Sequence, residues 1–210
     1  MTPEEIPPAT PESVARNRKT KQLNARTALL SGGLWALALG MVSPTTPQKL
    51  ALGFLAGLVW ANAFEYVYHR FILHLAGSSF ARRHLVHHRA TGTPEEAEHV
   101  TFGETPLWIV LLFVVNGLPV TAVEWLLGLG IASGMLLAFA AYFVAVEEIH
   151  WRIHLGERLP GFLEPARAYH LAHHDTPVGR YNVFFPLFDW LLGTAHGPAL
   201  ANQGHARPLR

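Results

Sequence analysis

The chain has 210 residues, of which half are hydrophobic and only 15% are charged, and its formal net charge is +1. This balance is typical of a membrane protein rather than of a soluble domain. Because the sequence contains no cysteine, a disulfide scaffold, a zinc ribbon and an iron–sulfur cluster are excluded. The basic residues are scattered and form no stripe, so nothing indicates nucleic acid as a partner.

Residues 1–25 predict a disordered N-terminal tail. Prolines and acidic residues come first, and a basic run from Arg16 to Arg26 then leads into the first apolar stretch. The segment is too polar for a cleaved signal peptide. Residues 197–210 predict a flexible C-terminal tail, so we expect one folded domain over residues 26–196.

Four stretches without charged residues predict membrane-spanning helices. A spanning helix needs about 20 mostly apolar residues, and the first, third and fourth stretches meet that length. The second is shorter, but it can continue through residues 65–68 as one helix that leaves the membrane. The stretches cover residues 27–48, 50–64, 105–123 and 125–146. The predicted fold class is therefore an all-α integral membrane protein with about four transmembrane helices.

The basic residues predict the orientation of these helices. They precede the first stretch and follow the second and fourth, whereas the two intervening turns carry only Lys49 and Glu124 as charged residues. The positive-inside rule places both termini, and everything that follows the second and fourth stretches, on the cytoplasmic side. Gly117, Pro119 and Glu124 mark the predicted turn of the second hairpin.

Ten of the 13 histidines fall into four clusters, which form two halves that each end in an HxxHH motif. Imidazole is the commonest metal-binding side chain, and no packing rule demands this grouping. The candidate metal ligands are His69, His74, His84, His87, His88, His150, His154, His170, His173 and His174. Two spans separate the halves, so the chain returns to the same face. We therefore expect a cytoplasmic helical cap in which four histidine-bearing segments surround two metals.

Helical spacing predicts how these side chains project. Positions i, i+3 and i+4 share a face of an α-helix, so the histidines of each HxxHH motif point together, as do His150 and His154. His69 and His74 diverge by roughly 140° on an ideal helix; they either straddle a two-metal centre or lie where the helix ends. The isolated histidines are interpreted as surface or hydrogen-bonded residues: His99, His196 and His205.

The number of ligands favours iron. Imidazole binds zinc, iron and copper alike, but a catalytic zinc uses three protein ligands. Ten imidazoles supply about five to each of two metals and leave a position for an oxygen-derived ligand. This coordination suits redox-active iron, although zinc can substitute because it binds such sites more tightly than ferrous iron. No catalytic residue beyond the metal ligands is predicted.

The clusters, their order and the intervening hairpin resemble the membrane fatty acid hydroxylase superfamily, which also includes sterol desaturases and carotenoid hydroxylases. Residues 65–74 are similar to the first histidine box of fatty acid 2-hydroxylases, and residues 181–194 resemble the closing motif of the family. The resemblance covers residues 50–194 and maps the ten histidines onto the ligands of the family. It implies a di-iron centre that uses O₂ as co-substrate to hydroxylate or desaturate a lipid.

The resemblance leaves the substrate open. The segment between His74 and His84 is shorter than in typical fatty acid 2-hydroxylases and nearer to that of carotenoid hydroxylases. The leading hypothesis is a hydroxylase of a long-chain, fatty acyl lipid, with a carotenoid hydroxylase or a sterol-type desaturase as alternatives. A metal transporter is disfavoured because the clusters lie beyond the apolar stretches, and a zinc hydrolase because it lacks an obvious general base.

Further residues are candidates for supporting roles. No cytochrome b5-like domain is expected in this chain, so electrons would come from a separate ferredoxin or cytochrome b5-like donor. Four arginines either form the docking site for this donor or simply reflect the positive-inside topology: Arg82, Arg83, Arg89 and Arg180. Candidates to line an apolar channel are Trp60, Phe64, Trp108, Phe143 and Trp151. Acids that either orient ligands or are solvated are Glu65, Glu147, Glu148 and Asp175. Asp189 is expected to brace the C-terminal segment.

Overall fold

The computed structural model describes residues 9–196 except residues 76 and 104, and this part of the chain is helical and contains no strand. A π-helical turn over His69–Leu73 continues the second helix, and a 3-10 turn over Gly161–Leu163 precedes the seventh. The α-helices of the described residues are α1 Pro11–Val42, α2 Pro47–Tyr68, α3 Ser79–Ala90, α4 Glu96–His99, α5 Pro106–Leu127, α6 Ala132–His154, α7 Glu164–Asp175 and α8 Leu187–Leu191.

Three of the long helices begin at a Thr-Pro pair. Thr10 and Thr46 each accept a hydrogen bond from a backbone N–H in the first turn of α1 and α2, whereas Thr105 precedes Pro106 without a capping hydrogen bond from its side chain. Proline suits the first helical position because its missing N–H would have no partner there. These pairs therefore fix where the helices start.

Four described helices are long and apolar enough to cross a membrane: α1, α2 with its π-helical turn, α5 and α6. The predicted all-α membrane architecture is confirmed. Helix α6 is the most buried of the four and packs along both α1 and α2, while α5 packs against α1. The outward faces of α1 and α5 expose leucine and valine side chains, as helices in contact with lipid do.

Glycines allow α2 and α6 to approach closely. A Cβ atom added to Gly53 would lie 2.1 Å from the Ile131 carbonyl oxygen, and one added to Gly134 would lie 2.2 Å from the Leu50 carbonyl oxygen. Both contacts are with backbone atoms, which cannot rotate away. Small residues at helix crossings are a general means of packing membrane helices, and here they hold α6 at the centre of the bundle.

The N-terminal segment differs from the disordered tail expected over residues 1–25. Helix α1 starts at Pro11, and its 32 residues extend for about 48 Å, well beyond the roughly 30 Å of a bilayer core. The part of α1 that extends beyond the bilayer core is held by residues that are distant in the sequence. Asn24, which is fully buried, donates to Glu147 Oε1 at 2.8 Å, and Lys21 pairs with Glu148. Residues 1–8 and 197–210 lie outside the described residues.

The turn of the second hairpin lies at residues 128–131, so the assignment of Gly117 and Pro119 to this turn is wrong. Both residues lie within α5, which ends at Gly128 in the left-handed conformation (φ 60°). A Cβ atom on Gly117 would lie 2.7 Å from the Trp35 ring, so this glycine serves helix packing. Glycine and proline are tolerated inside membrane helices, where neighbouring groups compensate.

Glu124 organises the end of the bundle that we call the hairpin end, residues 43–46 and 128–131. Its buried carboxylate accepts from the Ser43 hydroxyl at 2.7 Å and from the backbone N–H groups of Gly130, Ile131 and Ala132 at 2.7, 3.1 and 3.2 Å. It therefore caps the start of α6 and ties the two interhelical turns together.

Candidate metal centre

We call residues 69–100 and 150–196 the histidine cap; it lies at the opposite end of α2 and α6 from the hairpin end. Within it the ten predicted histidines form two groups, and each offers five imidazole nitrogens that lie within 4.8 Å of one another. The first group is His69, His74, His84, His88 and His173. The second group is His87, His150, His154, His170 and His174.

The π-helical turn explains how His69 and His74 reach the same group. The His74 N–H donates to the His69 carbonyl, five residues back, at 3.2 Å. A π-helical turn has more residues per turn than an α-helix, so side chains five apart come onto one face. The divergence expected for an ideal α-helix therefore does not occur. Of the two alternatives, the second is confirmed, because both residues lie where the helix ends and both belong to one group.

Each HxxHH motif contributes to both groups. In α3, His84 and His88 face the first group and His87 faces the second. In α7 the allocation is reversed, since two residues four apart face the second group and His173 faces the first. The prediction that the three histidines of each motif project together is compatible with this division, because the side of the helix that carries them lies between the two groups.

The two groups adjoin each other. The rings of His88 and His174 are stacked with centroids 4.1 Å apart and an interplanar angle of 20°. His88 belongs to the first group and His174 to the second, so no other side chain separates the groups at this point. Two ions bound in the two groups would therefore lie next to each other.

Hydrogen bonds to backbone carbonyls fix the tautomers of three histidines. The Nδ1 atoms of His173 and His150 lie 2.7 and 3.0 Å from the carbonyl oxygens of Gly179 and Val100, and Nδ1 of His69 contacts that of Tyr181. A carbonyl only accepts, so each Nδ1 carries the hydrogen. The Nε2 atom of each neutral ring therefore carries a lone pair, which points into its group.

Two further histidines of the second group are held by side chains. His154 Nδ1 lies 2.8 Å from Glu96 Oε1, and His174 Nδ1 lies 2.9 Å from Thr91 Oγ1, whose hydroxyl donates to the His87 carbonyl. With Glu96 ionised, both Nε2 atoms therefore carry a lone pair, and both face His170 Nε2 at 3.1 Å. Because His170 has at most one proton there, at least one contact joins two lone pairs.

The first group likewise has more contacts between imidazole nitrogens than its hydrogen bonds can satisfy. His84 Nε2 lies 2.9 Å from the Nε2 atoms of His69 and His88, and 3.1 Å from that of His74. One proton cannot satisfy three such contacts. Bare imidazole nitrogens that converge in this way are stabilised by a cation between them, so the residues present fit a pair of metal ions.

The electrostatics keep these rings neutral. Burial and neighbouring imidazoles hold the pKa values of His84, His87 and His170 well below the usual range, and lower the pKa of His88 to about 3. Burial also lowers the pKa of His173 to about 4. Metal ligation requires neutral imidazole, and these rings remain neutral at pH 7.

Three of the predicted acids have structural partners rather than ligand contacts within the described residues. Glu65 accepts from Tyr142, Asn182 and Val183. The other two, Glu147 and Glu148, bind the projecting part of α1. The fourth, Asp175, is exposed. The carboxylates of Glu65, Glu147 and Glu148 therefore hold the scaffold around the histidine cap together.

Asp189 braces the C-terminal segment, as predicted. Its buried carboxylate accepts from the backbone N–H groups of Tyr181 and Asn182 at 3.0 and 2.7 Å, and from the Thr194 hydroxyl at 2.7 Å. The carbonyl of Tyr181 in turn accepts from His69. The C-terminal segment therefore orients one ligand of the first group.

The predicted channel aromatics are partly reassigned. Trp151 is buried beneath the Lys21 ammonium, 4.9 Å from its ring, and donates to Glu157, so it anchors α1 instead of lining a channel. Phe64 and Phe143 belong to the apolar core between the spans. Trp60 donates to Asn116 at 2.6 Å.

Glu96 and Thr91 are site residues that the sequence did not indicate. Glu96 belongs to a run of three acids near the third span, and only the fold of the connector selects it to contact His154. Thr91 directly follows α3. Of the isolated histidines, His99 and His196 belong to neither group, as expected, and His205 lies outside the described residues.

Comparisons with known proteins identify the family of this chain. The fatty acid hydroxylase family model matches residues 54–194. The chain is 27% identical over 159 residues to fatty acid 2-hydroxylase of Mus musculus, with 70% of this chain and 41% of that protein covered. It is 26% identical over 163 residues to fatty acid 2-hydroxylase of Rattus norvegicus, with 72% and 42% covered.

The chain thus spans about two fifths of the length of these curated relatives. No solved structure matches it significantly. The matched region contains all ten histidines of the two groups and the Asp189 brace. The chain belongs to the fatty acid hydroxylase family.

Proposed function

We propose that this protein is a membrane lipid hydroxylase that uses two histidine-bound iron ions and O₂ to hydroxylate a long-chain fatty acyl substrate. The observation that carries the proposal is the pair of adjoining groups whose imidazole lone pairs converge without enough protons to satisfy them. The family supports a lipid as the substrate, and the names of the two relatives favour a fatty acyl chain.

One ion would be held by the first group and the other by the second. When bound, the iron pair would supply the reductive activation of O₂ that an unactivated C–H bond requires. The overall reaction is R–H + O₂ + 2e⁻ + 2H⁺ → R–OH + H₂O. The chain itself fixes the imidazole tautomers, keeps the rings neutral and holds the two groups in contact.

The donor set favours iron over zinc as the native metal. A tetrahedral structural zinc takes four protein ligands and a catalytic zinc takes three, whereas each group here offers five nitrogens. Zinc nevertheless binds imidazole more tightly than ferrous iron does. Protein purified without control of the metal supply is therefore expected to carry zinc in part of its sites.

The position of the histidine cap suits a substrate that resides in the bilayer. The first and second groups take ligands from the ends of α2 and α6, both of which can span a membrane, so an acyl chain between the helices needs to travel only a short distance. The positive-inside rule favours a cytoplasmic cap. There the exposed Arg82 and Arg89 on α3 are suited to an acidic ferredoxin or cytochrome b5-like donor.

The proposal is tested by supplying the full chain with Fe²⁺ in lipid vesicles, together with ferredoxin, its reductase and NADPH under ¹⁸O₂. A fatty acyl product that carries one ¹⁸O atom is expected, and the His88→Ala protein should form none. Carotenoid and sterol substrates run in parallel decide between the family alternatives. Metal-loaded protein that consumes no O₂ with any of these lipids would overturn the proposal.

A further inference from the structure

The two histidine groups differ in what holds their outer nitrogens. In the first group, His69 and His173 donate from Nδ1 to backbone carbonyls. In the second, His150 donates to a carbonyl, but His154 donates to the carboxylate of Glu96 at 2.8 Å. Among the described residues, this is the one contact between a carboxylate and a histidine of either group.

The fold holds Glu96 firmly in this position. Glu96 starts the short helix α4, and its second oxygen accepts the backbone N–H of Gly92 at 2.9 Å. Its side chain is only 12% exposed, and the side chain of His154 is fully buried. Both carboxylate oxygens therefore have fixed partners, and one of them faces the imidazole N–H without intervening solvent.

A carboxylate in this position changes the ligand more than a carbonyl does. When Glu96 is ionised, its full negative charge polarises the imidazole N–H and makes the opposite nitrogen a stronger base, whereas a carbonyl contributes only a dipole. Loss of such an outer partner typically lowers metal affinity about 10- to 100-fold. The second group therefore has an advantage that the first group lacks.

We propose that Glu96 is a positioning residue that makes the second group the tighter of the two metal sites, so that this site fills first. The inference rests on the proposed function, because it assumes that both groups hold metal. It adds that the two ions are not equivalent, and that the difference is encoded outside the ten histidines.

The test is an anaerobic calorimetric titration of the metal-free full chain in detergent with Fe²⁺. Wild-type protein should bind two ions in two steps. Glu96→Gln keeps an oxygen that can accept from His154 but removes the charge, so it should weaken the tighter step about 10- to 100-fold and leave the weaker step unchanged. Glu95→Gln, at the exposed neighbouring position, is the matched control and should change neither step.

Two further variants assign the steps. His154→Ala should remove the tighter step and His69→Ala the weaker one, and these assignments do not depend on the folding of the Glu96 variant. Thermal unfolding of the metal-free proteins should be the same for Glu96→Gln and Glu95→Gln. A purely structural role for Glu96 would instead lower the unfolding temperature and weaken both steps together.

The outcomes separate this inference from the proposed function. Two ions bound with equal affinity, loss of the tighter step in His69→Ala, or an unchanged tighter step in Glu96→Gln would overturn the role of Glu96 alone. A wild-type protein that binds no Fe²⁺ in either step would overturn the metal centre itself.

Discussion

The hairpin end and the histidine cap lie at opposite ends of the same spans. They differ in whether their buried polar groups find hydrogen-bond partners within the chain. At the hairpin end, the Glu124 carboxylate accepts four hydrogen bonds from donors within the chain. In the cap, the Nε2 atoms of His84 and His170 each lie within hydrogen-bond distance of more Nε2 atoms than one proton can satisfy. The polar groups of the hairpin end are satisfied within the folded chain, whereas under the proposed function those of the cap are satisfied when cations bind.

This difference distinguishes residues that stabilise the fold from residues that serve the proposed metal chemistry. An unsatisfied buried polar group costs about 1–3 kcal/mol, and a protein has no reason to collect such groups at one place unless a ligand relieves them. Perturbing the cap should therefore change metal content and turnover, and perturbing the hairpin end should change stability alone.

The largest expected effect is the loss of turnover when a cap histidine is replaced. His88→Ala, His154→Ala and His174→Ala should each abolish product formation, because each removes a nitrogen from a group. All three proteins should still insert, which fractionation of the membranes checks. His205→Ala is the control and should be silent. Retained turnover in metal-depleted His88→Ala protein would contradict the assignment of His88.

Removal of the metals should destabilise one end of the molecule. An ion present at about 1,000 times its dissociation constant stabilises a fold by about 4 kcal/mol, so a chelator should lower the unfolding temperature markedly. Amide hydrogen exchange should accelerate in α3 and α7 and stay unchanged at residues 128–132. Equal acceleration at both ends would show that the cap does not depend on the ions.

Loss of the Glu124 carboxylate should have the converse effect. Glu124→Ala leaves three backbone N–H groups and the Ser43 hydroxyl without their acceptor, which should cost about 3 kcal/mol of unfolding free energy in detergent. The number of ions per chain should not change. Glu12→Ala, at an exposed position, should affect neither quantity. A Glu124→Ala protein that unfolds like wild type but loses metal would contradict the assignment of the hairpin end to stability.

A smaller effect is expected where α2 and α6 cross near the hairpin end. The new methyl group of Gly134→Ala would meet the Leu50 carbonyl, and overpacking of this kind costs about 1–3 kcal/mol. Gly33→Ala is the matched control, since nothing lies within 4 Å of its added Cβ; it should be neutral or stabilising by up to about 1 kcal/mol. Equal unfolding temperatures for the two variants would show that the crossing is loosely packed.

The sequence was informative where the signal is local. Apolar length predicted four spans, and the order of spans and clusters predicted that both histidine halves reach one face. The ten histidines stood out by type and spacing. All of them lie in the two groups, because two crossings return the chain to the same side.

The errors arose where a distant partner or a local distortion decides the conformation. The divergence of His69 and His74 assumed an α-helix, and the π-helical turn removes it. The N-terminal part of α1 is held by acids more than 120 residues away, such as Glu148, which pairs with Lys21. Glu96 is one of three nearby acids with similar local surroundings, and only the folded connector distinguishes it.

A metal count on the full chain tests most directly whether the histidine cap holds two ions. Metal-free protein is loaded with excess Fe²⁺ without oxygen, desalted and analysed for iron and protein. Wild-type protein should retain two ions per chain. One ion should remain when His69 and His74 are both replaced by alanine, and one when His150 and His154 are replaced instead. A wild-type chain that retains one ion or none, or a loss of both ions in each double variant, would contradict two adjoining but separate metal sites.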